Sequence, residues 1–335
     1  MRRETLSIQS IPAYPAARFR VDFGAHAGDP IGVLEDLVMD DVYELTEGAA
    51  PRRLGLEARA DGSFRIHGDT ELGTPGAALF LDCALTLMAD PGDSLEALVL
   101  VEVDAEGLIA DLFLLPLAPL QPQVGYRLVS ACRESARQVL AQMACVSFTR
   151  GTRITLGTGA QVAIEDLKPG DRVLTRDSGV QEITWIGRST ARAVGAMAPI
   201  LIRAGVLNNA GDLLVSPDHR LMLYQRSDEI GAGSAEILVR AGDLVNGDSV
   251  VVQEGGFVDY FQLLFDRHHI IYAEGIAAES LLLDPLTRKV LPDDLQAALP
   301  EGLKHGSRAD HGVDVSRALP DRPDLVDMLR RASLR

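Results

Sequence analysis

The stretch that decides the fold is Ala144-Cys145-Val146-Ser147-Phe148-Thr149-Arg150-Gly151-Thr152, near the middle of a chain of 335 residues. A cysteine is followed by a short aromatic and polar segment, in which Ser147, Thr149 and Thr152 are assigned to a turn. A strand-like run, 153–156, comes directly after it. The stretch therefore predicts the start of a new β-rich domain.

The composition describes an acidic chain with ample material for a core. Hydrophobic residues make up 47% of the sequence, and two domains of the usual size, about 100–200 residues each, are expected. The formal net charge is -16, whereas nucleic acids and anionic membranes attract basic faces. Apolar runs are far shorter than the roughly 20 residues of a spanning helix. We expect no nucleic-acid partner and no membrane insertion.

The N-terminus and the cysteines indicate where the protein works. Arg2 and Arg3 are not followed by an apolar segment, so no Sec signal peptide is expected. The chain is expected to be cytoplasmic or secreted by a route without such a signal. Cys83, Cys132 and Cys145 are scattered and predict neither a disulfide framework nor a zinc site. We expect no cofactor.

Alternating apolar residues and turn signals divide the chain into four parts. Residues 1–125 predict a β-rich sandwich or barrel of unknown function, with a hairpin at Asp61-Gly62. Residues 126–144 predict a helical connector, and 145–283 predict a second all-β domain. Residues 284–335 predict a charged tail that is partly helical or flexible. The predicted fold class is therefore mainly β.

Short strands and two tail helices are predicted in the second half of the chain. The predicted strands are 153–156, 162–164, 172–175, 181–186, 200–202, 213–215, 220–224, 237–239, 249–253, 260–264 and 270–272. The predicted tail helices are 291–303 and 323–331, the second with charges arranged as the helix dipole prefers.

Three patterns in the second β domain carry chemistry. Cys145 supplies a thiol, which is a nucleophile when it is deprotonated. Ser216-Pro217-Asp218-His219 places a hydroxyl and a histidine in a turn between two predicted strands, and a histidine transfers protons near neutral pH. Asp266-Arg267-His268-His269 precedes the predicted strand 270–272, and Glu279-Ser280 follows.

Taken in order, these motifs resemble the Hedgehog/intein autoprocessing (Hint) family, and they look most like its bacterial members with an N-terminal β-rich partner. The resemblance covers 145–280 and implies an all-β, horseshoe-like fold. It implies that Cys145 attacks the carbonyl of Ala144 in a single-turnover N-to-S acyl shift. The resulting thioester passes to water or to another small nucleophile. His219 is implied to contact the scissile amide and carry its proton, with Ser216 holding the geometry.

The resemblance also gives a task to the third pattern. Asp266, His268 or His269 is implied to accept the thiol proton or to orient water. Neighbouring residues on a strand point to opposite faces. We therefore expect at most one of the two histidines to face the site, and we prefer His269.

Two departures from the family narrow the expected reaction. Glu279-Ser280 stands where inteins carry His-Asn, so asparagine cyclisation, and with it splicing, is not expected. The segment 183–188 lacks the aspartate of sterol-transferring Hedgehog domains, so sterol transfer is not expected either. Self-cleavage at Ala144–Cys145 without splicing is the reaction that remains.

Two other functions stay open at this point. One is a non-catalytic Hint-like β scaffold that serves binding or assembly. The other is a metal-dependent hydrolase, in which Asp218, His219, His268 and His269 converge as zinc ligands.

Overall fold

The computed structural model describes residues 7–59, 63–89, 93–226, 228, 231–283, 287, 291, 313–315 and 325–334. The chain divides into two compact units, Met1–Gln142 with Asp284–Val290 and Met143–Leu283 with Leu291–Arg335. Strands dominate both units, so the predicted mainly β fold class is confirmed.

The first unit is built on one nine-stranded sheet. Its strands are β1 (Ser7–Pro15), β2 (Phe19–Phe23), β3 (Val42–Leu45), β4 (Arg52–Ala58), β5 (Phe64–Ile66), β6 (Ala78–Ala89), β7 (Asp93–Val103), β8 (Ile109–Pro116) and β9 (Tyr126–Cys132). Their order is β2-β3-β9-β6-β5-β4-β1-β8-β7, and β7 also pairs with β6. The strands β6, β5, β4, β1, β8 and β7 thus close into a ring, which is the closed alternative of the two predicted architectures.

The predicted hairpin at Asp61-Gly62 has β4 and β5 as its antiparallel arms, with Ala58 opposite Phe64. Its turn residues, 60–62, lie outside the described residues. The core of this unit includes the buried side chains of Leu85 and Leu114.

The predicted helical connector, 126–144, is wrong in its first part. Tyr126–Cys132 forms β9, which pairs antiparallel with β3 and β6. Along β9, Leu128 is buried beside the exposed Arg127, and this alternation is typical of a strand with one face on a core. Only Arg133–Ala144, helix α1, is helical. The β-rich N-terminal part therefore extends beyond residue 125.

The second unit contains three sheets of short strands. Its strands are β10 (Phe148–Thr149), β11 (Arg153–Thr155), β12 (Gln161–Ala163), β13 (Arg172–Leu174), β14 (Val180–Glu182), β15 (Trp185–Arg192), β16 (Ile200–Ile202), β17 (Leu213–Val215), β18 (Arg220–Tyr224), β19 (Glu236–Arg240), β20 (Val250–Val252), β21 (Phe257–Leu264), β22 (Ile270–Ala273), β23 (Ile276–Glu279) and β24 (Val313–Asp314). The sheets run β15-β21-β10-β17-β16-β20, β12-β11-β22-β23-β18-β19-β24 and β13-β14.

Each predicted strand of this domain has a counterpart at its place, except that 181–186 is divided between β14 and β15. The two-residue strand β10 was not predicted. In the tail, α2 (Leu325–Leu334) occupies most of the predicted helix 323–331. The helix predicted at 291–303 lies largely outside the described residues. No helix among the described residues is long and apolar enough to cross a membrane.

The core position of Phe148 predicts a large loss of stability on truncation. Phe148 is 1% exposed, and Phe148→Ala leaves a cavity that costs about 3–5 kcal/mol of unfolding free energy. The chain has one tryptophan, and Trp185 lies in the same sheet. Its fluorescence in a urea titration therefore reports on the unfolding of the second unit.

Phe257→Ala is the matched control for this substitution. Phe257 begins β21 in the same sheet and is 76% exposed, so its loss changes stability by no more than about 0.5 kcal/mol. Equal losses in the two variants would contradict the core position of Phe148.

Candidate functional site

The short strand β10 is the centre of the candidate site. Phe148 pairs antiparallel with Val215 of β17 on one side and with Phe261 of β21 on the other. One residue further along both registers, Ser147 lies opposite Ser216 and Gln262. Ser147, two residues after Cys145, therefore lies between the two strands β17 and β21.

Hydrogen bonds reach every polar group of Ser147. Its amide N–H donates to Ser216 Oγ over 3.0 Å, and its carbonyl accepts from the Ser216 N–H over 2.9 Å. Gln262 Nε2 donates to Ser147 Oγ over 2.7 Å. The His219 ring contacts the Ser147 carbonyl through Nδ1 at 3.1 Å. Because Ser147 is 2% exposed, these bonds lie away from solvent.

Cys145 is fully buried two residues before this serine. Its carbonyl accepts from Ser216 Oγ over 3.3 Å and from Ser147 Oγ over 3.4 Å. The two hydroxyls thus tie the segment 145–147 to the turn after β17. The structure brings the predicted Cys145, Ser216 and His219 into one site, although the Nδ1 contact of His219 is to the Ser147 carbonyl.

His219 is neutral near neutral pH because its ring is fully buried. Burial lowers the pKa of His219 to about 4. Hydrogen bonds to the backbones of Ser147 and Glu279 raise this pKa, and the charge of Arg220 lowers it, but burial has the largest effect. A carbonyl only accepts, so the contact of Nδ1 with the Ser147 carbonyl is a hydrogen bond in the tautomer that carries its proton on Nδ1.

His268 belongs to a buried cluster of ionisable side chains. Its Nε2 lies 3.8 Å from Glu279 Oε1, and both side chains are fully buried. Glu279 Oε2 also lies 3.9 Å from Nη1 of Arg220. Since β18 pairs with β23, this carboxylate sits at the end of β23, next to the turn that carries His219.

His269 turns in a different direction. Its Nε2 lies 3.4 Å from Oδ1 of Asp266, whose side chain is 68% exposed. Its ring packs edge-on against the Phe265 ring, with centroids 5.7 Å apart. The backbone N–H of His269 donates to Ser280 Oγ over 2.9 Å. The side chains of His269 and Asp266 therefore contact each other, whereas His268 contacts Glu279.

The expectation that His268 and His269 point to opposite faces of a strand does not apply. β22 begins at Ile270, so neither His268 nor His269 lies in a strand. Both are buried, and they sit on the loop before the strand with different partners. The preference for His269 over His268 as the site residue stays a prediction.

Sequence reasoning missed Gln262 and gave Ser147 only a role in a turn. Gln262 is 6% exposed and interrupts the apolar run of β21 between Phe261 and Leu263. A single amide side chain in a buried strand needs hydrogen-bond partners, and the sequence shows this amide within an apolar run. The sequence does not show that its partner is Ser147, because that contact depends on the pairing of β21 with β10.

The four residues proposed as zinc ligands do not gather into one site. Asp218 Oδ1 lies 3.5 Å from Nη1 of Arg240, while His268 pairs with Glu279. In the part of the chain that the structure describes, no three His, Cys, Asp or Glu side chains are grouped so as to hold a metal ion.

Comparison with known proteins finds a family model that matches one segment of the chain. Residues 146–285 match a family model described as Hint domain, which confirms the resemblance for this segment. The crystal structure of the Ssp DnaB mini-intein variant M86 is similar at 13% identity and a TM-score of 0.28, covering 42% of this chain and 97% of the intein. That of the MchDnaB-1 intein is similar at 12% identity and a TM-score of 0.27, covering 40% and 98%. No curated protein matches the chain.

The low pKa of His219 makes stability depend on pH. The pKa falls from 6.5 in the unfolded chain to about 4 in the fold, so the unfolded state binds more protons between these values. The stability that neutral His219 contributes is full above pH 6.5 and is lost as the pH falls toward 4, by up to about 3 kcal/mol.

His219→Asn isolates this contribution, because its amide still reaches toward the Ser147 carbonyl but does not titrate. Unfolding free energies from Trp185 fluorescence at pH 7 and pH 4.5 give the comparison. The wild type should lose more stability than the variant between the two pH values. Equal losses would mean that His219 is not held neutral by burial.

Proposed function

We propose that the Hint domain of this chain, residues 146–285, cleaves its own backbone at its N-terminal edge, within 144–147, without splicing. The observation that carries the proposal is the set of hydrogen bonds from Ser216 and His219 to the segment 145–147. The motif that the sequence assigned to the scissile bond thus lies at the edge where the domain begins.

The chemistry that the site supports is an acyl shift. A side-chain nucleophile attacks the carbonyl that precedes its own residue, and the backbone nitrogen leaves once it is protonated. Buried hydrogen-bond donors are effective here, because they are already oriented toward the charge that develops. Ser147, Ser216 and His219 are 2%, 7% and 0% exposed, so the site excludes bulk water from these groups.

Attack by Cys145 is the thiol route of this reaction. Sγ forms a bond to the carbonyl carbon of Ala144, the bond from that carbon to the Cys145 nitrogen breaks, and the thiol proton balances the proton that the nitrogen gains. The product is a thioester, which water or another small nucleophile resolves. The route is supported by the burial of Cys145 next to the segment that Ser216 and His219 hold.

The far end of the domain supports cleavage without splicing. Glu279 ends β23 and Ser280 follows it, at the place where the resemblance to inteins puts their terminal His-Asn. Glu279 is engaged with His268, and Ser280 accepts the His269 N–H. Neither side chain cyclises as asparagine does, so the C-terminal flank stays attached to the domain.

Intact mass of the purified full-length chain over time tests the proposal. We expect two fragments that meet within residues 144–147, and we expect His219→Ala to slow their appearance at least tenfold, because the variant removes the ring that holds the segment. His268→Ala is the comparison, since its ring contacts Glu279, and it should slow cleavage far less. If Cys145 is the nucleophile, dithiothreitol speeds cleavage by attacking the thioester.

A wild-type chain that stays whole for days, with and without thiol, would contradict self-cleavage and leave the domain as a non-catalytic scaffold. Equal slowing in the two histidine variants would mean that His219 has no special place in the reaction.

A further inference from the structure

We propose that Ser147 is the nucleophile that this site serves, and that the bond it breaks is Val146–Ser147. The inference rests on the proposed self-cleavage and names the residue that begins it. The reaction is then an N-to-O acyl shift, and its intermediate is an oxygen ester.

The argument begins with the atoms that the acyl shift changes. For a bond cleaved before Ser147, these are Ser147 Oγ, which attacks, and the Ser147 nitrogen, which leaves. Gln262 Nε2 contacts the first at 2.7 Å, and Ser216 Oγ contacts the second at 3.0 Å. Each reacting atom of Ser147 therefore has its own polar side chain from a neighbouring strand or turn.

The contacts described for Cys145 lie on a different peptide bond. Ser216 Oγ and Ser147 Oγ both donate to the Cys145 carbonyl, which belongs to the bond after Cys145. That contact fixes the chain on the N-terminal side of Val146, one residue ahead of the bond that Ser147 attacks. The Ser216 hydroxyl therefore hydrogen-bonds to the backbone on both sides of Val146, at the Cys145 carbonyl and at the Ser147 N–H.

Gln262 fits the developing charge on the nucleophile. Its amide N–H already donates to Oγ, and such a bond strengthens as the oxygen gains negative charge on losing its proton. Gln262 is 6% exposed, and its position in β21, opposite β10 in the sheet, fixes the amide toward Ser147. The donor is therefore in place before the reaction begins.

Ser216 fits the leaving nitrogen. A hydroxyl both accepts and donates, so Oγ accepts the N–H of the intact amide and is able to give its own proton as the nitrogen becomes an amine. His219 acts as a positioning residue, because its Nδ1–H holds the Ser147 carbonyl at 3.1 Å. This bond keeps Ser147 in register while its amide bond is exchanged.

The step balances without any further reactant. A bond forms between Ser147 Oγ and the carbonyl carbon of Val146, and the bond from that carbon to the Ser147 nitrogen breaks. The Ser147 hydroxyl loses one proton and the nitrogen gains one from Ser216, which is reprotonated by the proton that Ser147 releases, so the shift is an isomerisation. Water then hydrolyses the ester to a Val146 carboxylate and a fragment that begins at Ser147 with a free amine and hydroxyl.

Cleavage rates of full-length variants, followed by intact mass, test the inference. Ser147→Ala should abolish cleavage, and Cys145→Ala should still cleave. Gln262→Met keeps the length of the side chain but removes the donor, so it should slow cleavage by about tenfold or more, the value of one hydrogen bond to a charged group. Cys132→Ala, in β9 of the other unit, is the control for losing a thiol and should leave the rate unchanged.

Ser147→Cys gives a second readout. A thiol at this position turns the ester into a thioester, so dithiothreitol should speed cleavage of this variant and have no comparable effect on the wild type. If both Ser147→Ala and Cys145→Ala stop cleavage, thiol-dependent cleavage of Ser147→Cys supports Ser147, and its absence overturns the inference.

Cleavage that survives Ser147→Ala and is lost in Cys145→Ala overturns the inference and leaves the proposed self-cleavage standing. A wild-type chain that never cleaves overturns both.

Discussion

The pairing of β10 with two strands at once is the constraint on which the site depends. This strand is two residues long, yet Phe148 is matched with Val215 and with Phe261. Next to it, the Arg150 N–H donates to the Asp259 carbonyl over 3.1 Å. The Arg150 guanidinium also donates to the Asp259 carboxylate. A shift of one residue would turn every side chain of the strand to the opposite face, and it would separate Ser147 from Ser216 and Gln262.

Neutral side chains make the hydrogen bonds that hold Ser147. Ser216 and Gln262 carry no charge, and burial keeps His219 neutral by lowering its pKa to about 4. A neutral ring that donates to a backbone carbonyl avoids the cost of a buried, unpaired charge. The buried ionisable side chains form a separate cluster, in which Glu279 faces His268 and Arg220. These ionisable side chains are therefore not among the groups that hydrogen-bond to Ser147, and the acyl shift that we propose requires only a balanced exchange of protons.

Much of the fold was predictable from the sequence, because short strands bounded by glycine, proline and aspartate have a strong local signal. The prediction of a helical connector was wrong at Tyr126–Cys132, because this segment becomes a strand through backbone pairing with the distant strands β3 and β6. In the site, Ser216 and His219 were predictable, since one short turn carries both. Gln262 was not, because its partner Ser147 is 115 residues away in the chain and only the register of β10 against β21 joins them.

The first residue of the C-terminal fragment tests the central claim most directly, because it names the bond that the site breaks. The wild-type chain is left to cleave at neutral pH without thiol, and the fragment is identified by N-terminal sequencing and accurate mass. We predict that it begins Ser147-Phe148-Thr149. A fragment that begins Cys145-Val146-Ser147 would contradict the account, because the hydrogen bonds centred on Ser147 would then only hold the chain in place while Cys145 is the nucleophile.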